Sequence, residues 1–299
     1  MSKKVKKLQL ANVFGFRIGK VIGKGTYSKV CLATSDDCDK KLACKIISKK
    51  QSGKEFLKKF LPRELEIIKC INHPNIVKVY RIFETPLTVY VFMEYCELGD
   101  ILEYIQNNGP FTEERTRLLF RQVVEAVHYL HNLNFAHRDI KCDNIFLWNN
   151  CMIKLGDFGF SRYCVDENGE YPMSNTFCGS AAYAAPEILQ GKPYDPKKYD
   201  IWALGCILYI MVMGQMPFDD SNILEMVEDQ LYGNIRNFNF FCDRCSPNLR
   251  RLQMSLFETN MANRINTLQI IHHPWFLQEP YDVRISNAVL RSMSDSRLI

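Results

Sequence analysis

Asp139 lies one residue after Arg138, two before Lys141 and five before Asn144, in the run His137-Arg138-Asp139-Ile140-Lys141-Cys142-Asp143-Asn144. A second acid follows in Asp157-Phe158-Gly159, and Lys45 sits far upstream in the apolar run Ala43-Cys44-Lys45-Ile46-Ile47. Further upstream still, Gly23-Lys24-Gly25-Thr26-Tyr27-Ser28-Lys29-Val30 offers glycines that let backbone N–H groups approach a phosphate closely. Each fragment alone also serves as an ordinary turn or hairpin. Their order and spacing together fit phosphoryl transfer from ATP, a reaction that depends on positioning and charge neutralisation.

Such residues need elements to carry them. Three strand-like runs, Phe16 to Gly23, Lys29 to Thr34 and Lys41 to Ile47, hold the glycines and Lys45. A helical stretch from about Lys54 to Ile71 follows, then strands near Val77 to Phe83 and Val89 to Glu94, which makes a small, mostly β lobe. From Gly99 the pattern turns helical: Leu119, Val123, Val127 and Leu130 recur at four, four and three residues, with Thr112 as N-cap and Glu113 and Glu114 at the helix's positive end. The run Ile201 to Met213 is too short to span a bilayer and reads as a helix buried on all sides. The change of pattern around Tyr95 to Gly99 predicts a hinge that would place a cleft. The expected fold class is α+β and bilobal: a basic tail over 1–13, an N-lobe of about 14–95, a C-lobe of about 96–276, and a short tail over 277–299.

With 299 residues, 47% of them hydrophobic, the chain can bury a substantial core. Its net charge of +5 comes partly from Lys3, Lys4, Lys6 and Lys7, read as a solvated tail in preference to a nucleic-acid arm. The start has no signal-peptide core, and Met1-Ser2 lacks the glycine that myristoylation needs. Twelve cysteines in such a chain point to a reducing, cytoplasmic setting with no membrane span. Cys242-Asp243-Arg244-Cys245 has half a zinc knuckle's spacing, but no second pair completes four ligands. Of the histidines only His137 lies in a chemical motif; His128 and His131 read as packing or surface residues.

Taken together, the run ending at Asn144, the Asp157-Phe158-Gly159 triplet, Lys45 and the glycine turn make the chain resemble eukaryotic protein kinases from roughly Phe14 to Phe276. Finer motifs are similar to testis-specific serine/threonine kinases of the calcium/calmodulin-dependent-like branch: Phe60-Leu61-Pro62-Arg63-Glu64-Leu65, Thr176-Phe177-Cys178-Gly179-Ser180-Ala181-Ala182-Tyr183, and Tyr199-Asp200-Ile201-Trp202. The resemblance implies ATP and Mg²⁺ as cofactors. It makes Asp139 the catalytic base, Lys141 a charge partner of the transferred phosphoryl, and Asn144 and Asp157 the metal ligands, their oxygens suiting a hard cation. Lys45 is then the phosphate-binding lysine and Glu64 its ion-pair partner, with Glu66 as runner-up, about 200° away around the helix.

For the nucleotide the resemblance implies Ile22, Gly23, Lys24, Gly25, Thr26, Tyr27, Ser28, Val30, Ala43, Met93, Glu94, Cys96, Asp100 and Phe146. Ser28 replaces the usual third glycine, and Phe146 stands where relatives carry leucine. Thr176 resembles the activating phosphothreonine, with Arg138 and Arg162 as its basic partners; Ser180 resembles a hydroxyl that bridges Asp139 and Lys141. Glu187 would pair with Arg264, and Asp200 would anchor the catalytic loop. The implied activity is a serine/threonine kinase acting on protein substrates. It is expected to be basophilic through Asp100 and Asp143, to act in spermatid maturation, and to be open to an upstream activating kinase. A nucleotide-binding pseudokinase scaffold and a small-molecule kinase are the competing readings. The long segment from Asp157 to Ala185-Pro186-Glu187 favours a protein substrate.

Overall fold

The structure is a computed structural model that describes residues 11–25, 28–35 and 40–277. Thr26 and Tyr27, residues 1–10 of the basic tail and residues 278–299 lie outside the described residues. The chain forms two compact units, one comprising Met1–Cys70 and Val77–Tyr95, the other Ile71–Ile76 and Cys96–Ile299.

The first unit is a six-stranded antiparallel sheet with one helix. Its strands are β1 (Ala11–Val13), β2 (Phe16–Lys24), β3 (Ser28–Ser35), β4 (Lys41–Ser48), β5 (Val79–Glu84) and β6 (Thr88–Glu94), in the order β1-β2-β3-β4-β6-β5. β1 precedes the first strand expected from the sequence. The register pairs Val30 with Lys45 and Ala43 with Met93, so these four share one face. The opposite face carries Ala33, Leu42, Cys44 and Phe92, packed against Phe16, Ile18 and Phe83. Phe92 is fully buried, and enclosing one such ring contributes about 1.5–3 kcal/mol. Between β4 and β5 a π-helical stretch, Phe56–Phe60, leads into α1 (Leu61–Cys70). Pro62 has no N–H for the Lys58 carbonyl, which accounts for the widened turn at that point.

The second unit contains α2 (Ile101–Asn108), α3 (Glu113–Asn132), β7 (Phe135–Ala136), β8 (Ile145–Asn149), β9 (Met152–Leu155), β10 (Arg162–Tyr163), α4 (Pro186–Leu189), α5 (Pro196–Met213), α6 (Ile223–Tyr232), α7 (Phe238–Arg244), α8 (Pro247–Leu256) and α9 (Thr267–Ile271). Thr112 caps α3 as its sequence predicts, its hydroxyl accepting from Arg115 N at 3.3 Å. α5 starts at Pro196 behind the Asp195 cap and ends at Gly214, whose φ of 72° suits glycine. Every residue from Tyr199 to Val212 is buried, so this helix is the centre of the unit's core. α3 packs against α5, β9 and α9. Among the described residues no helix is long and apolar enough to cross a membrane, and every cysteine is a free thiol.

Candidate active site

The residues singled out by the sequence divide between the two units. In the first, Lys45 Nζ lies 2.6 Å from Glu64 Oε1, and Glu64 is 4% exposed. An ammonium and a carboxylate drawn from water need such a partner. Glu66 faces solvent, as its angular offset on the helix predicts. Ile22 is the extra residue of a β-bulge between the Val21–Cys31 and Gly23–Val30 pairs. Beyond Lys24 the strand turns at Gly25, whose N–H donates to Ser28 O at 2.8 Å, while a Cβ at Gly25 would stand 3.0 Å from the Ser28 hydroxyl. In β6, Glu94 Oε2 accepts from Lys78 N at 2.9 Å.

In the second unit the loop after β7 carries the residues expected to be catalytic. His137, Arg138 and Asp139 are 0%, 2% and 4% exposed. Asp139 Oδ2 receives Lys141 Nζ at 3.1 Å and Asn144 Nδ2 at 3.0 Å, and Asn144 Nδ2 also donates to the Asp139 carbonyl at 2.8 Å. Ser180 Oγ stands 3.3 Å from Lys141 Nζ and 3.5 Å from Asp139 Oδ1, which brings the end of the long Asp157 to Glu187 segment, expected to be the activation segment, onto the same carboxylate. Asp200, on α5, holds the loop from beneath: Oδ1 accepts from Arg138 N at 2.8 Å, and Oδ2 from His137 N at 2.9 Å. Arg138 has a φ of 62°, a conformation costly for a side-chain-bearing residue and stabilised here by the Asp200 bond.

Asp157 follows Gly156, whose N–H donates to the Asn144 carbonyl at 2.9 Å, so the two expected metal ligands are one residue apart across the β8–β9 hairpin. Asp157 has a φ of 59° and an exposed side chain. Asn144 Nδ2 is committed to Asp139, and among the described residues no hydrogen bond engages its Oδ1. A carboxylate and a free amide oxygen in that relation fit Mg²⁺. His137 Nε2 lies 3.1 Å from Gly156 O, and its ring packs on Phe158 with centroids 5.0 Å apart.

Asp100 caps α2, Oδ1 accepting from Glu103 N at 2.8 Å, and bridges to Phe146 of β8. Burial, and then the neighbouring Asp143 carboxylate, hold the Asp100 carboxyl above its usual range. Cys96 is buried. Thr176 is exposed and its side chain bonds neither arginine; Arg138 Nε donates to Phe160 O at 2.9 Å and Arg162 Nη1 to Ser174 Oγ at 3.3 Å. Glu187 and Arg264 form a two-pronged pair at 2.8 and 3.0 Å. A side chain at Gly179, whose φ is 84°, would overlap the Arg138 carbonyl oxygen, so glycine is required where the activation segment crosses the catalytic loop.

Some supporting residues were not singled out by the sequence reading. His131 is buried, with Nε2 2.9 Å from Asp200 Oδ2. Its place four residues after Val127, on the apolar stripe of α3, was the available sign, since a polar group there needs a buried partner. Asn75 Nδ2 donates to Gln122 Oε1 at 2.8 Å and Ile153 O at 3.1 Å, which ties the Ile71–Ile76 stretch to α3 and β9. Tyr194 and Tyr199 hold activation-segment carbonyls; Tyr199 entered the sequence reading only as part of the Tyr199-Asp200-Ile201-Trp202 motif, and no local pattern marks Tyr194.

Residues 16–276 match the protein kinase domain family. The chain is 44% identical over 265 residues to mouse (Mus musculus) testis-specific serine/threonine-protein kinase 1, covering 87% of this chain and 72% of that protein. It is 42% identical over 288 residues to mouse testis-specific serine/threonine-protein kinase 2, covering 95% and 79%. For mouse testis-specific serine/threonine-protein kinase 3 the identity is 43% over 263 residues, covering 87% and 96%.

Proposed function

The chain belongs to the protein kinase family and is an ATP-dependent serine/threonine protein kinase, and on that premise we propose that it favours hydroxyls downstream of basic residues and acts in male germ cells during spermatid development. The observation that carries the catalytic assignment is the Asp139 carboxylate, fixed at Oδ2 by Lys141 and Asn144. Oδ1, whose contact with Ser180 is the longer one, is left to take or orient the proton of the acceptor hydroxyl. Lys141 offsets charge on the transferred group. Lys45, held by Glu64, would meet the α- and β-phosphates; for the nucleotide the first unit would offer Ile22, Gly23, Lys24, Gly25, Thr26, Tyr27, Ser28, Val30, Ala43, Met93 and Glu94, and the second unit Cys96, Asp100 and Phe146. Asn144 and Asp157 would hold Mg²⁺, which would supply neutralisation of the phosphate charge when bound.

The adjacent Asp100 and Asp143 carboxylates support the basic preference, since a guanidinium between them relieves their mutual repulsion. Thr176 is the activating phosphosite, modified by the protein itself or by an upstream kinase, and its phosphorylation raises activity. The work is assigned to the cytoplasm. The test is radiolabelled phosphate transfer to paired serine peptides carrying arginine or alanine three residues upstream. The arginine peptide should show kcat/KM about tenfold higher, as one charge-assisted contact allows, and the preference should shrink in Asp100→Ala. Equal values in wild type defeat the basic preference, and no transfer at all supports a non-catalytic nucleotide binder.

A further inference from the structure

Tyr194 is 1% exposed and fastens the activation segment twice. Its backbone exchanges two hydrogen bonds with Ser174, Ser174 N to Tyr194 O at 2.8 Å and Tyr194 N to Ser174 O at 2.9 Å. Its hydroxyl donates to the Thr176 carbonyl at 2.8 Å. Burial holds the pKa of that hydroxyl above the ordinary tyrosine range, so it stays a donor at neutral pH. Arg162 Nη1 reaches Ser174 Oγ at 3.3 Å. The tyrosine's ring stands edge-on to Tyr199 at 5.8 Å, and the Tyr199 hydroxyl donates to Cys178 O at 3.2 Å. Two residues later Ser180 meets Asp139 and Lys141. Ser174, Thr176, Cys178 and Ser180 are thus fixed in succession while Thr176 is unmodified.

We propose that Tyr194 is a positioning residue that keeps the activation segment in place without phosphate, its hydroxyl holding by the Thr176 carbonyl the same segment that a phosphate on Thr176 would tie to Arg138 and Arg162. The comparison with phosphate rests on the reading of Thr176 as the activating site; the clamp itself does not. The kinase therefore has basal activity, and the hydroxyl and the phosphate are alternative supports for one segment.

The experiment compares wild type, Thr176→Ala, Tyr194→Phe and the double variant by kcat/KM on one serine peptide, with thermal melting as a check of folding. Phenylalanine keeps the ring and its packing on Tyr199 and removes only the hydroxyl. Thr176→Ala keeps the carbonyl that Tyr194 grips. Thr176→Ala should retain clear activity, and the double variant should lose about tenfold more, the scale of one buried hydrogen bond. Tyr194→Phe with Thr176 phosphorylated, verified by mass spectrometry, should stay within about threefold of wild type. Hydrogen exchange at Thr176 to Cys178 should quicken in the double variant. Equal rates for Thr176→Ala and the double variant overturn the proposal. So does an equal loss from Tyr194→Phe in both backgrounds, which marks a structural role only. If Thr176→Ala matches wild type the phosphosite reading fails, and the double variant then decides the clamp alone.

Discussion

Asp139 depends on its neighbours for geometry. Lys141 and Asn144 fix one oxygen, Ser180 approaches the other, and Asp200 grips the two amides before it. Preorganised charge of this kind is where most phosphoryl-transfer catalysis arises. Asp139→Asn keeps the shape and removes the carboxylate proposed as the base, so kcat should fall at least about a hundredfold with the melting temperature little changed. Asp157→Ala should lower kcat as much and weaken Mg-ATP binding as well. Retention of a tenth of wild-type kcat in either would contradict the assigned role. Asp100 supplies a pH signature. Its carboxyl is held above the ordinary 3.8 by burial and by Asp143, so protonation sets in at higher pH than for a free aspartate. The arginine preference should therefore weaken as pH falls, starting above 3.8, and Asp100→Asn should be indifferent to pH over the same range; parallel profiles for the two proteins would refute the assignment.

At the scale of elements, α5 is the platform. It supplies Asp200 to the catalytic loop and Tyr199 to the activation segment. Its burial on all sides was readable from the unbroken apolar run, because a helix without a polar face has to be enclosed. Arg264, 0% exposed, joins α4 to the loop before α9 through Glu187, and it also stands 5.0 Å over the Trp202 ring of α5. Removing one partner leaves a buried charge behind, so Glu187→Ala should cost about 3–5 kcal/mol in urea unfolding. Glu187→Leu combined with Arg264→Met should cost less than Glu187→Ala alone. A double variant weaker than the single would show that the ion pair itself, rather than the orphaned charge, provides the stability.

On the scale of the whole molecule, each unit closes its own core, and Ile71–Ile76 belongs with the second although it lies between α1 and β5 of the first. Asn75 accounts for this through its bonds to Gln122 and Ile153, and the Ile76–Leu155 bridge adds to it. His73, in the same stretch, accepts from Asn75 N at 3.1 Å through Nδ1. Burial and the Lys154 charge hold its pKa down at about 4, from an ordinary 6.5. The unfolded chain therefore takes up a proton that the folded chain refuses, and stability is lost as pH falls from 6.5 towards 4, by at most about 3 kcal/mol. His73→Asn keeps an acceptor and does not titrate, so its urea midpoint should fall less between pH 7 and pH 4.5 than that of wild type; identical declines would exclude His73 as the source.

The sequence by itself determined the chemistry and most of the elements. The Asp139 run, Asp157, Lys45 and the glycine turn are local patterns whose residue types the reaction requires, and strands and helices follow from periodicity over a few residues. Glu64 was picked out by its place in the family's motif, and helix geometry turned Glu66 to another face. β1 escaped that reading because three residues carry too little pattern, and the π-helical stretch because widening of a turn changes no periodicity that could be counted. Only the tertiary structure decided what holds the site in place: His131 on Asp200, Asn75 on Gln122, and Tyr194 and Tyr199 on the activation segment. Those bonds join residues 18 to 69 positions apart, with the tyrosines giving their hydroxyls to backbone carbonyls, a group every residue carries. A partner of that kind leaves no mark in the sequence, so it is known only once the chain has brought the two together.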